Sequence, residues 1–181
     1  MTILALLALL LPGLAYWAWF GRRDQEPLIS FSQIVGIGLV LISLLAQVVF
    51  LAGGQFSRAS IWMLLSTALV LAVLGLIKKG PGFPVKYRHH AWIGFVLFAA
   101  AIAWRLFQAH DLLLPNWVDS QHHYLIVRVI LEKGVLPETL SPYLPVPFYY
   151  HFGFHAVAAL FTALSGLEIG AAMLILGQVL N

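Results

Sequence analysis

Cysteine is absent from all 181 residues, and side chains that carry charge make up only 9% of them. Without cysteine there can be no disulfide, no thiolate nucleophile and no iron–sulfur cluster, so any chemistry falls to carboxylates, imidazoles and hydroxyls. The shortage of charge excludes a soluble domain, because with 61% hydrophobic residues a fold of this size would expose large apolar surface to water. Net charge is only +3. The basic residues stand in short loops between apolar runs, where orientation in a membrane accounts for them and a nucleic-acid partner is discounted. The chain therefore reads as an all-α, polytopic transmembrane helix bundle whose surrounding partner is the lipid bilayer.

A span needs ~20 mostly apolar residues. Four segments reach that length, at 2–20, 31–52, 60–77 and 91–109, and a fifth, 149–164, falls just short. The first begins MTILALLALLLPGLAYWAWF with no basic residue ahead of it, which argues for a retained helix over a cleaved signal peptide. Pro12 is expected to kink it, and Trp17 and Trp19 to lie in an interfacial aromatic belt. The loops GRRDQEP and KKGPGFPVKYRHH hold Arg22, Arg23, Lys78, Lys79, Lys86 and Arg88, whereas GGQFSRAS between them holds only Arg58. The positive-inside rule then places the N-terminus outside a plasma membrane and the segment from His110 to Pro147 on the outer face. After Gly166 the run LEIGAAMLILGQVLN is expected to be the beginning of a sixth helix that continues past residue 181. The organisation is thus 1–90, three helices and a basic inner loop, followed by 91–181, a helix, a large outer loop and the helices after it.

Charge concentrates in one place, NWVDSQHHYLIVRVILEKGVLPETL at 116–140. Asp119 or Ser120 suits an N-cap, and Gly134 with Pro137 ends the helix that follows. That helix is too short to span and carries Arg128, Glu132 and Lys133, so it is expected to lie along the outer surface with its apolar face down. Helical spacing puts His122 and His123 one turn beyond Asp119, and Arg128 and Glu132 at i,i+4. Asp119 fits either a helix cap or a catalytic base. His122 and His123 fit either polar interfacial residues or phosphate contacts; Arg128 fits a pair with Glu132 or a phosphate contact. Arg105, beside Trp104 late in the fourth helix, fits snorkelling or the same phosphate.

The segment 91–170 resembles the GT-C superfamily of polytopic glycosyltransferases, of the protein O-mannosyltransferase and aminoarabinose transferase type. Three stretches carry the likeness: WVDSQHHY after an outward-running helix, the LEKGVLPETL turn closing an interfacial helix, and the Tyr-rich entry YLPVPFYYHFGFHAVAALFTALSGL. The resemblance implies a sugar transferase at the outer face that uses a polyprenyl-phosphate-linked donor. The family's external acid, a catalytic base or metal-associated carboxylate, carries over to Asp119 alone. Independently of the family, sugar transfer from a lipid phosphate needs a base for the acceptor proton and groups that meet the departing phosphate. These roles are open to Asp119 as base and to His122, His123, Arg128 or Arg105 at the phosphate, with Tyr150 as a further substrate contact. Where the family carries an acidic pair, this chain has Asp119 followed by Ser120, and three helices precede the one that would be first. A divalent metal ion is the only cofactor such a site admits.

Two further features are chemical in type. His151 and His155 stand at i,i+4 in HFGFH, a spacing that can present two imidazoles to a transition metal, with a third ligand drawn from Asp119, His122 or His123. Gly153, Ala156, Ala159 and Ala163 form a small-residue stripe suited to close helix packing. The competing functional class is a transporter or assembly subunit in which the His/Asp loop gates or conducts protons. Such a protein should carry polar or broken helices near mid-membrane, and the first four show little beyond Gln47. Haem ligation is disfavoured because His89 and His90 lie at the opposite end of the bundle from His151.

Overall fold

A computed structural model describes residues 1–80, 88–115, 119–147 and 149–180, the side chains of 88–90 excepted. Lys86 and the middle of the basic inner loop lie outside the described residues, as do Trp117 and Phe148. Four helices are long and apolar enough to cross a membrane. They are α1 (Thr2–Phe20), α2 (Pro27–Leu51), α3 (Arg58–Lys79) and α4 (Arg88–Gln108). The chain is a helical bundle, and its long apolar helices suggest a multi-pass membrane protein.

Local chemistry sets the helix ends. Pro27 occupies the first turn of α2, where its missing N–H removes nothing, so α2 begins four residues before the expected 31. Ser57 and Ser60 cap α3 reciprocally: the Ser57 hydroxyl accepts the Ser60 N–H at 3.1 Å, and the Ser60 hydroxyl accepts the Ser57 N–H at 2.8 Å. Lys78 and Lys79 close α3 at its negative end.

α1 packs against both α2 and α3. Its contact with α2 depends on glycine: a methyl on Gly13 would collide with the Ile34 carbonyl oxygen, and a Cβ on Gly38 would stand 3.2 Å from the Leu9 carbonyl oxygen. At the basic end, Arg22, Arg23, Lys78 and Lys79 gather around the α1 terminus. The Arg23 guanidinium lies 3.9 Å from the Trp17 ring centre, Lys78 lies 5.3 Å from that of Trp19, and Lys79 donates to the Trp19 carbonyl. Trp17 is buried inside the protein, which corrects its expected place in a lipid-facing belt: the arginine covers it.

After α4 come α5 (Ser120–Lys133), a two-stranded antiparallel piece of β1 (Thr139–Leu140) and β2 (Leu144–Pro147), α6 (Gly153–Ser165) and α7 (Ile169–Leu180). The short hairpin is a small departure from the all-α expectation, and its prolines Pro145 and Pro147 suit an edge strand. The expected fifth span takes a different form. α6 has 13 residues, which at 1.5 Å per residue reach about 20 Å, well short of a hydrocarbon core of about 30 Å. Gly166, at φ 71°, ends it in the left-handed conformation, and the chain turns by 116° into α7. The turn approaches the segment after α4, since a Cβ on Gly170 would lie 2.6 Å from the Leu113 carbonyl oxygen. The start of α6 is held beside the middle of α2, where the Ser43 hydroxyl donates to the Gly153 carbonyl at 3.4 Å. α6 and α7 therefore form a broken pair rather than a straight return helix and its successor.

That pair alters the expected setting of α5. Its apolar face, Ile126, Val127 and Ile130, is fully buried in one core with Val157, Ala158 and Phe161 of α6 and Met173 and Leu176 of α7. The face meets protein, not lipid. Phe56, in the α2–α3 turn, donates its N–H to the Gly134 carbonyl at the far end of α5, so that turn and α5 share one side of the bundle.

Gly13→Ala should lower the unfolding midpoint in detergent by an amount equivalent to about 1–3 kcal/mol, the usual cost of overpacking. Gly36→Ala, a site with nothing within 4 Å of the added carbon, should be close to neutral in the same thermal scan. Equal effects at the two positions would show that the α1–α2 approach does not depend on Gly13.

Candidate functional site

The beginnings of α5 and α6 meet in a cluster of imidazoles. His155, in the first turn of α6, is 1% exposed, and its Nδ1 lies 3.1 Å from the carbonyl oxygen of His151. A carbonyl only accepts, so His155 Nδ1 carries the proton and, in the neutral ring, Nε2 is left as the acceptor. His123 Nδ1 stands 2.8 Å from that Nε2 and must be the donor. The two rings overlap at 5.0 Å between centres. Tyr150 stands edge-on to both, at 5.4 Å from His123 and 5.8 Å from His155, and leans against His151 at 5.1 Å. This chain of bonds fixes His123 with its Nε2 as the remaining basic atom.

Asp119 occupies the N-cap position of α5. Its carbonyl accepts the His123 N–H at 3.0 Å, but its carboxylate makes no capping bond and the residue is exposed. The acid is thus one helical turn from His123 and not spent on the helix. His122 is exposed on the same turn, facing about 100° around the helix from His123.

The other expected substrate contacts are placed elsewhere. Arg128 is five residues after His123, about 140° away around α5. Its Nε donates to Glu132 at 2.9 Å, and its guanidinium lies 4.5 Å from the Tyr143 ring centre. Tyr143 donates its hydroxyl to the same carboxylate at 2.8 Å. This is the expected i,i+4 pair, extended into a latch that ties α5 to the turn before β2. Arg128 and then Tyr143 hold the Glu132 carboxyl below its usual range. Arg105, half-buried in the last turn of α4, has no hydrogen bond or ion pair to the imidazole group among the described residues.

The basis expected for metal binding by His151 and His155 is also revised. Helical i,i+4 geometry does not apply, because α6 starts at Gly153 and His151 precedes its N-cap. Each ring nitrogen of His155 already has a partner. Among the described residues no three His, Asp or Glu side chains come together as a metal-ligand set.

Sequence reasoning missed Tyr124 and Glu168. Glu168 caps α7, accepting the Gly170 N–H at 2.7 Å, and its carboxylate lies near the Tyr124 hydroxyl of α5. Burial, and then that carboxylate, push the Tyr124 hydroxyl above its usual range. The available signal was an acid just after Gly166 and directly ahead of an apolar run, which is a helix start.

His155→Ala should cost about 1–3 kcal/mol of stability, since it leaves a buried donor and carbonyl unpartnered. His123→Asn, which keeps a short N–H donor toward His155, should cost less in the same detergent melt. Comparison with protein families, curated proteins and solved structures returned no match to this chain.

Proposed function

We infer that this chain forms the outer-face part of a membrane glycosyltransferase that takes its sugar from a polyprenyl-phosphate donor. The observation that carries the reading is an uncapped, exposed Asp119 one turn from His123, whose ring is locked in a single orientation by His155. Sugar transfer to a hydroxyl needs a base for the acceptor proton, and a base acts only when its accepting atom is held toward that proton. Asp119 is the base. His123, through Nε2, holds the acceptor hydroxyl or takes its proton in turn, while His122 and Tyr150 line the approach. A cation that meets the departing phosphate is also required. Arg105 is the candidate left for this, because Arg128 is engaged with Glu132. A divalent ion at Asp119 would serve the same end.

The reading requires the α5 side of the bundle to face outward. Gathering of Arg22, Arg23, Lys78 and Lys79 at the opposite end supports that orientation. Because the chain lacks cysteine, Gln55→Cys and Lys133→Cys should react with an impermeant maleimide added to intact cells, and Gly82→Cys only after lysis. Labelling of Gly82→Cys from outside would reverse the topology and remove the outer-face site.

For the chemistry, Asp119→Asn in the membrane-embedded protein should lower transfer from a radiolabelled polyprenyl-phosphate sugar by about 10²- to 10⁴-fold with insertion unchanged. Transfer within a few-fold of the parent would eliminate Asp119 as the base.

A further inference from the structure

Because α2 and α3 both pack on α1 rather than on each other, a space remains between them. It is a cavity of about 610 Å³, roofed by the later half of α5 and by α6. That size lies within the ~300–1,000 Å³ typical of ligand sites. Small residues make the room: Ala46 of α2 and Ala156, Ala159 and Ala163 of α6 all border it, while Gly153, the first member of the same stripe, packs against Ser43 of α2. The wall is mostly apolar, with Ile42, Leu64 and Ile130 among its residues, and Ser60 and Thr67 add two hydroxyls. It reaches the bundle surface at Met63, which is 67% exposed.

One full charge borders this cavity, Arg58. It stands exposed at the first position of α3, where the helix dipole disfavours a cation. Among the described residues no carboxylate lies within ion-pair distance of it. An apolar chamber bordered by an uncompensated cation, on the headgroup side of the bundle, is complementary to an anionic amphiphile. We propose that the cavity between α2, α3, α5 and α6 holds an acyl chain of a resident anionic phospholipid, with its phosphate on Arg58.

The position of Arg58 separates this lipid from any reacting donor. Phe56 anchors the α2–α3 turn to Gly134, at the opposite end of α5 from Asp119 and His123. His123 and Gly134 are eleven positions apart, about 16 Å along the axis. A donor phosphate must reach the acid, whereas this phosphate sits beyond the other end of the helix. The lipid is instead a structural wedge that keeps α5 and α6 seated over the gap between α2 and α3.

The test uses the intact chain, reconstituted in nanodiscs of equal phosphatidylglycerol and phosphatidylcholine, released into mild detergent and read by native mass spectrometry. One phosphatidylglycerol should remain per chain, enriched about fivefold over phosphatidylcholine, the effect of one basic residue on an anionic headgroup. Arg58→Gln should abolish the enrichment while some lipid is still retained. Ala163→Phe, which fills the cavity from α6, and Leu64→Trp, which fills it from α3, should each cut total retained lipid severalfold. The second variant covers a folding failure of the first. Equal retention of the two phospholipids by the parent chain, enrichment that survives Arg58→Gln, or unchanged retention in both filled variants would overturn the proposal. Displacement of phosphatidylglycerol by an equimolar polyprenyl phosphate would also overturn it and assign the cavity to the donor lipid.

Discussion

In hydrocarbon no water is present to satisfy a free N–H or C=O, so every interruption of a helix within a membrane protein must be met by the protein itself. The α6–α7 break is where this chain faces that constraint, and the polar side chains nearby divide the work. Ser43 donates to the Gly153 carbonyl, and His155 donates to the His151 carbonyl ahead of the helix. At the other end the Gly166 N–H returns to the Thr162 carbonyl, while Glu168 accepts from the Gly170 and Ala171 N–H groups. A straight span would not need the Glu168 cap at the break. These polar partners are the condition under which a 13-residue helix can end inside the fold.

α5 depends on that break in turn. With one face charged and the other built from Ile126, Val127 and Ile130, it needs an apolar floor, and two short helices tilted against each other provide one. Its position is then fixed at several points. His123 meets His155, Tyr124 meets Glu168, Glu132 receives Arg128 and Tyr143, and Gly134 receives Phe56. The helix is therefore a braced lid over the bundle, and side chains on its first turn are held in place from below.

The four spans were legible because twenty apolar residues in a row admit little but a helix, and their ends differed by no more than four residues, the largest shift falling at the start that Pro27 sets for α2, with Ser57 setting that of α3. α5 was legible from its Gly134 terminator and its charges. What lay hidden was everything set by partners distant in sequence. Nothing in HFGFH indicates that α6 begins only at Gly153, which turns an apparent helical pair of histidines into a ring and a backbone carbonyl. Nor does the apolar run after 149 reveal that Gly166 takes a positive φ and reverses the chain. The Ala156, Ala159 and Ala163 stripe was visible, but a stripe of small residues looks the same whether a helix or a cavity lies against it.

The imidazole pair also bears on the choice between an enzyme and a proton-conducting protein. A proton taken up at His123 Nε2 could leave from Nδ1 to His155 Nε2, and next from His155 Nδ1. The atom facing that last position is the His151 carbonyl oxygen, which accepts a hydrogen bond but does not accept the proton. To pass a proton onward His155 would have to rotate, breaking both of its hydrogen bonds inside a site with 1% exposure. A path that ends on a backbone carbonyl is poor for conduction. It is well suited to fixing one tautomer and one ring orientation, as a second imidazole does for a base that must meet a substrate hydroxyl. The broken α6–α7 pair is a feature the transporter reading expects, but a path that ends on a carbonyl is not, and it is this asymmetry that supports the transferase proposal. On that proposal His155 acts through His123, by positioning it.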